Sequence, residues 1–297
     1  MTLKRIAYLA CAGTLPGSPA RRGDAFEHDR MVECLTPAFA GRGMALAPID
    51  WRAPFEAFEE FSAALIGTPW DYFDHADAFR ARLDDLETVG IPVLNSPEVV
   101  RWNIEKTYLR DLAKHGAPTI PTLWLEDAGR ADILAALHHF AADSVVVKRQ
   151  VGGGALGQHR FTRDDLPPET WRMGHAAMIQ PFLPAIVEEG EISLIFIDGE
   201  FSHALGKRSA DGDYRIQSLF GGREEDFEPS PAELAQAEAV IAACPFPAPT
   251  YARIDMVRLP SGELAVMEAE MIEPYLYPEQ GPDLGERLAA ALAKALA

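Results

Sequence analysis

A parallel α/β domain followed by a mixed, largely antiparallel α+β region is the fold class this sequence predicts, and three observations predict it. Strand and helix signals alternate through roughly the first third of the chain. From Ser96 onward the pattern changes to hairpins and separate helices. Near the C-terminus, two runs of strand-forming residues flank Pro260-Ser261-Gly262-Glu263, and their register places acids opposite each other.

The alternating part runs strand Ile6–Ala10, helix Asp24–Phe39 capped by Asp24, and strand Met44–Ile49. Strand Ala63–Gly67, amphipathic helix His75–Val89 and strand Ile91–Leu94 come after them, which implies a parallel sheet with helices on both faces. Ligands gather at the carboxyl ends of such strands, so the loop Ala12–Gly23 should border a site. Arg21 and Arg22 in that loop either hold a substrate carboxylate or are simply solvated. Lys4-Arg5 ahead of an apolar run could be read as a leader, but Gly13, Pro16 and Gly17 break the chain just beyond that run, and a buried first strand is the better reading.

Ser96-Pro97-Glu98 opens a short helix with proline at its first position. Lys106–His115 is a helix closed by Gly116. An extended Pro118–Leu125, a helix near Ala131–Ala142 and the strand Ser144–Arg149 come next. The glycine loop Gly152–Gly157 separates that strand from Gln158–Thr162. Strands Ala177–Phe182, Glu191–Ile197 and Glu200–Leu205 lie beyond it, the last two joined by an Asp198-Gly199 turn. Ser230–Cys244 and Asp283–Leu296, the latter capped by Asp283, are helices on either side of the acidic hairpin.

In that hairpin, a turn centred on Ser261 and Gly262 pairs Leu259 with Leu264, Val257 with Val266, Asp255 with Glu268 and Arg253 with Glu270. Ile254, Met256, Ala265, Met267, Ala269 and Met271 form the core face. Directly opposed carboxylates repel unless something positive lies between them. Mg²⁺, a hard cation that favours carboxylate and phosphate oxygens, suits the position. A solvated polar face with Arg253 as countercharge is the plainer alternative.

The glycine loop contains a literal G-x-G-x-x-G after a strand, but no helix begins inside it and no acid ends a following strand. No Gly-Lys-Ser/Thr closes it as a Walker loop either. Between antiparallel strands it reads as a flap whose amides can fold over phosphates, or else as a hairpin tip. Lys148 interrupts the buried run Val145–Val147, where an ammonium is costly unless it meets an anion. Lys106 lies on a helix that otherwise packs through Tyr108, Leu109 and Leu112, and alone reads as solvated. Arg215, in Gly212-Asp-Tyr-Arg215, could neutralise a transferring phosphate. His28 and His203 read as packing residues.

Composition narrows the partners. At 297 residues with a net charge of −18, the chain is built for more than one domain and against nucleic acid or an anionic membrane as main partner. No apolar run reaches the ~20 residues that span a bilayer. Three widely spaced cysteines form neither a disulfide framework nor a zinc pattern, which fits a reducing cytoplasm.

The order helix lysine, strand lysine, glycine flap, Gln180-Pro-Phe-Leu183, Gly-Asp-Tyr-Arg215, paired acids resembles the ATP-grasp superfamily, in its glutathione-synthetase and ribosomal-protein glutamate-ligase branch. Trp102–Leu109 and Glu268–Tyr277 are similar to the group containing the cyclo-ligase of cycloserine synthesis. The resemblance covers about residues 95 to 280 and implies three domains, 1–95, 96–182 and 183–297. It implies ATP and Mg²⁺ as cofactors, with Lys106 and Lys148 on the nucleotide phosphates and Gly152, Gly153 and Gly154 as the flap. Gln180, Phe182 and Leu183 would belong to the hinge strand that reads adenine, with Glu191 near the ribose. Arg215 would stabilise the transferring phosphoryl group, and Asp255 and Glu268 would hold Mg²⁺. Glu270 departs from the pattern, where the wider family generally has asparagine; it is either a further ligand or a partner of Arg253. The implied activity is an ATP-dependent carboxylate–amine ligase acting through an acyl phosphate on an amino-acid-like small molecule, within or between molecules. A kinase or ATPase on the same scaffold, or a nucleotide-binding module without turnover, are the rival readings. A homodimer is compatible with this resemblance.

Overall fold

The computed structural model describes residues 3–153, 157–209 and 221–297. Three sheets organise them. The first is parallel, in the order β2-β1-β3-β4, from β1 (Lys4–Ala10), β2 (Met44–Asp50), β3 (Ala63–Thr68) and β4 (Val93–Leu94). Alternation along β1 sends Ile6 and Tyr8 to one face and Ala7 and Leu9 to the other. Helix α1 (Phe26–Gly41) covers the first face and α2 (Ala76–Thr88) the second, as the alternating pattern predicts. Asp24 does not cap α1: Ala25 holds the cap position, and the Asp24 carboxylate is taken by Arg22 through bonds of 2.8 and 2.7 Å. A bidentate guanidinium two residues away outcompetes the helix amides. Asp283 likewise makes no capping bond.

Helices α3 (Pro97–Asn103) and α4 (Tyr108–Lys114) lead out of this domain. Helix α4 ends as the sequence predicts: Gly116 adopts φ +89°, and Ala117 N–H reaches back to Leu112 O at 3.0 Å. The second sheet, β5-β8-β6-β7, is antiparallel and contains β5 (Leu123–Leu125), β6 (Ser144–Arg149), β7 (His159–Thr162) and β8 (Ala177–Pro181). Helix α5 (Arg130–His139) packs on it through Ile133, Ala136 and Leu137.

After the short α6 (Ala185–Glu188), the third sheet runs β11-β10-β9-β12-β13. Its strands are β9 (Glu191–Ile197), β10 (Glu200–Arg208), β11 (Arg223–Asp226), β12 (Tyr251–Arg258) and β13 (Leu264–Glu270), with α7 (Pro231–Ala242) packed against it. The C-terminal α8 (Leu284–Ala295) returns to pack on α1, so the first and last parts of the chain share one core. Helices α3 and α4 share a core with the third sheet, through Val99, Tyr108, Leu109 and Leu112.

The acidic hairpin corrects the predicted register in part. Asp255 faces Glu268 and Arg253 faces Glu270, but Val257 faces Ala265 and Arg258 faces Leu264. Leu259 N–H bonds Glu263 O at 2.8 Å, so the turn has three residues, with Gly262 at φ +89°. A β-bulge between Asp255 and Met256 then adds the residue that restores the predicted pairing beyond it. Between turn and bulge the β13 side chains change face, while those of β12 keep the faces that counting gives. Val257, Ala265 and Met267 therefore lie together beside Ile120 and Ile186, while Leu264 and Val266 join Ile254 and Met256 in the core.

Strand β13 is an edge, yet its outward amides are occupied. Leu264 N–H donates to Gln236 Oε1 (3.0 Å) and Val266 N–H to Pro118 O (2.8 Å). Past the bulge, Ala269 N–H donates to the Tyr108 hydroxyl (3.0 Å) and Met271 N–H to Asn103 Oδ1 (2.9 Å). Asn103 also donates to Ala269 O at 2.6 Å. Asn103→Ala strips two buried backbone groups of their partners and should destabilise the protein by about 2–4 kcal/mol. Urea unfolding with an unchanged slope checks this; a loss under about 0.5 kcal/mol would mean water replaces the amide.

Candidate active site

A cavity of about 600 Å³ opens where the three sheets meet. One end is apolar: Ile120, Val146, Leu183, Ile186, Val257 and Met267 face it. The one-residue slip in the hairpin is what delivers Met267 there, beside Val257. At this end the Gln180 amide is held by the Thr122 hydroxyl at 3.0 Å. Phe182 N–H is committed to Ser144 O at 3.0 Å, whereas Leu183 N–H has no backbone partner among the described residues. Leu183 is thus the hinge donor still available to a planar heterocycle.

The middle of the cavity is cationic. Lys106 Nζ donates to Gly152 O at 2.5 Å and lies 3.6 Å from Glu268. The Lys106 backbone N–H bonds Gln150 O at 2.8 Å, which ties the start of α4 to the strand carrying the next lysine. Lys148, on β6, is 8% exposed and makes no hydrogen bond or ion pair among the described residues. Burial lowers its pKa, opposed by the more distant Glu268. Gly152 and Gly153 border the same space. Gly154 and Arg215 lie outside the described residues.

Opposite the lysines stand the acids. Asp255, 3% exposed, is gripped by Arg253 at 2.9–3.1 Å, by the Ser193 hydroxyl at 2.5 Å and by Lys207 at 3.3 Å. Burial alone would raise its pKa, but Arg253 and Lys207 hold it well below the usual carboxylate range. Glu270 accepts at 2.5 Å from the same Arg253 Nη2 that serves Asp255, yet burial still pushes its pKa up. Glu191 pairs with Lys207, one ammonium away from Asp255, and burial raises it too. The aromatic ring of Tyr277 sits under both cations, 5.8 Å from Lys207 and 5.7 Å from Arg253.

Two of these cations have places in the site that the sequence pattern does not assign. Lys207 lies beyond the predicted end of its strand, and a bulge between Phe201 and His203 shifts it opposite Glu191. Arg253 reads from sequence only as a countercharge; it binds both Asp255 and Glu270. The acid set offers hard carboxylate oxygens at opposed strand positions, which suits Mg²⁺. No three acids converge into a closed cage among the described residues. A cation there must complete its shell with phosphate oxygens and water, which is the usual habit of Mg²⁺.

The remaining end of the cavity belongs to the first domain. Arg22, from the loop predicted to border a site, lines it beside Trp70, Tyr72 and Phe73; Arg21 instead pairs with Asp29. No helix among the described residues is long and apolar enough to cross a membrane.

Comparison with known proteins gives the chain its family. Residues 6–95 match the family model described as the D-cycloserine synthetase DcsG N-terminal domain. The cycloserine biosynthesis protein DcsG of Streptomyces lavendulae is 30% identical over 271 residues, covering 86% of this chain and 90% of that protein. The crystal structure of D-cycloserine synthetase DcsG superposes with a TM-score of 0.78 at 26% identity, over 99% of this chain and 100% of that one. The ATP-grasp ligase PsnB, solved with its minimal precursor, shares the fold at a TM-score of 0.67 and 18% identity, over 99% and 100% of the two chains. The chain belongs to the DcsG family of ATP-grasp enzymes and is an ATP-dependent ligase that forms C–N bonds.

Proposed function

We propose that this ligase converts the carboxylate of an amino-acid-like small molecule to an acyl phosphate and lets a nitrogen nucleophile displace the phosphate, within one molecule when acid and nitrogen are so joined. The observation that carries the reading is Lys148, a buried ammonium lining the cavity without a counterion among the described residues. Such a group is costly until an anion arrives, so the cavity is prepared for phosphate. The name of the Streptomyces lavendulae relative supports an amino-acid-like substrate and a ring-closing product.

In this reading the apolar end takes adenine, with Leu183 N–H on its edge and Gln180 and Phe182 shaping the strand, and Glu191 serves the nucleoside side. Lys106, Lys148 and Lys207 neutralise phosphate oxygens beneath Gly152–Gly154, and Arg215 joins them at the transferring group. Asp255 and Glu268, with Glu270 held by Arg253, would hold Mg²⁺, which neutralises phosphate charge when bound. A carboxylate oxygen attacks the γ-phosphorus and ADP leaves; the nitrogen then attacks the acyl carbon, loses a proton, and phosphate departs. The protein contributes position, fixed charge and exclusion of water rather than a covalent nucleophile.

Hydroxylamine tests this directly. With ATP, Mg²⁺ and the acid substrate, it should intercept the activated acid as a hydroxamate. ADP release with a stable phosphorylated product and no hydroxamate would point instead to a kinase.

A further inference from the structure

The chain beyond β13 carries an aromatic residue in a costly backbone conformation beneath two buried cations. Tyr277 has φ +50°, in the left-handed region that a bulky side chain rarely enters. Such a conformation persists only where neighbours impose it, and such outliers cluster at functional sites. Here the neighbours can be named. His203 Nε2–H donates to Leu276 O at 2.9 Å, and the N–H groups of Gln280 and Gly281 donate to Tyr277 O at 3.1 and 3.2 Å. Gly281 permits the close approach, because a Cβ there would run into the imidazole of His203. Arg253 Nη1 donates to Tyr275 O at 3.1 Å, and the Tyr275 ring meets that of Tyr277 edge-on, with 4.6 Å between centroids.

The ring so placed lies 5.8 Å from the Lys207 ammonium and 5.7 Å from the Arg253 guanidinium, and all three residues line the cavity. Each cation already meets two carboxylates: Lys207 those of Glu191 and Asp255, Arg253 those of Asp255 and Glu270. An ammonium has three N–H groups and a guanidinium five. The acids take two from Lys207, which leaves one among the described residues. On Arg253, Nε–H and both Nη2 protons go to the acids and one Nη1 proton goes to Tyr275 O, which also leaves one. A further carboxylate in the place of the ring would take these donors. The face of a ring attracts a cation through its quadrupole and accepts no hydrogen bond from it here. Burial pushes the Tyr277 phenol up to about 12, so the ring stays neutral at ordinary pH.

We infer that Tyr277 is a positioning residue of this ligase: its ring face holds the Lys207 ammonium and the Arg253 guanidinium in place while leaving each a donor for phosphate. This rests on the phosphate role given to Lys207 above and deepens it. Tyr277 acts through the two cations and not on the reacting atoms.

The test varies the charge on the ring face at nearly constant size. Tyr277→Phe is the reference, and phenylalanines bearing one, two and three ring fluorines are placed at the same position. Fluorine withdraws electron density from the face and weakens its hold on a cation step by step. Affinity for a non-hydrolysable ATP analogue with Mg²⁺, measured by calorimetry, should fall progressively, by about 10-fold across the series. Adenosine, which brings no phosphate, should bind every member alike. Tyr277→Leu should lose at least as much analogue affinity as the trifluorinated form. Flat analogue affinity across the fluorine series, or a parallel loss for adenosine, would overturn the inference, because a ring that only fills space answers to volume and not to charge. A wild type that binds the analogue no more tightly than adenosine would overturn the phosphate reading itself, and the inference with it.

Discussion

Asp255→Asn should abolish ADP release and lower the unfolding free energy by about 3–5 kcal/mol, because it takes from two buried cations the carboxylate they share. Arg253 and Lys207, which are 8% and 5% exposed, would each lose one of their two carboxylate partners and be left with Glu270 and Glu191 respectively. Glu268→Gln separates the two effects. Glu268 meets only Lys106 among the described cations, at 3.6 Å, and its side chain is 25% exposed. Its removal should also end turnover, but at under about 1 kcal/mol of stability. Thermal melts beside an ADP-release assay give both readings. Full activity in either variant would remove that acid from the metal assignment.

Lys148→Met should move binding and stability in opposite directions. Losing a desolvated charge that faces phosphate should weaken a non-hydrolysable ATP analogue by about 2–5 kcal/mol, measured by calorimetry. The empty enzyme should melt higher, because a buried ammonium without a partner among the described residues gives way to an apolar chain of similar shape. The sign with pH comes from its lowered pKa. Below that pKa the folded state carries the full cost of the charge; as pH rises toward the ordinary lysine range the cost fades. The gain of the Met variant over the wild type should therefore shrink as pH rises. Lys114, exposed on α4, supplies the control: its replacement should alter neither measurement.

Much of the fold is legible because hydrophobic periodicity is local. The parallel domain, the Asp198-Gly199 turn with both residues at positive φ, and the Gly116 helix end all arise from residues near in sequence. Register is not legible in the same way. A glycine that accepts φ +89° converts the hairpin turn from two residues to three, and nothing in the flanking strands announces the compensating bulge. Counting places the opposed acids correctly only because turn and bulge cancel before Asp255 is reached. Ala265 and Met267, which lie inside the slip on β13, occupy the face opposite to the one that counting gives, while Val257 on β12 stays on the side of Asp255. Lys207 escapes sequence reading for the same reason on β10. Asp24 has the chemistry of a cap, but helix signals do not weigh a competing arginine two residues upstream.

The occupied edge of β13 also bears on how copies of this chain can meet. A sheet that ends in free amides and carbonyls invites another sheet to continue it. Here Gln236, Pro118, Tyr108 and Asn103 have taken the outward amides of one margin. The strand at the other margin, β11, is Arg-Glu-Glu-Asp, and all four residues are exposed. Two such margins brought together in antiparallel fashion would oppose acids to acids at their centre. Strand-by-strand growth into fibres or continuous sheets is therefore disfavoured from both sides of the central sheet. Pairing of copies across this sheet has to be made by side-chain surfaces, and its margins should not seed aggregation on heating short of unfolding.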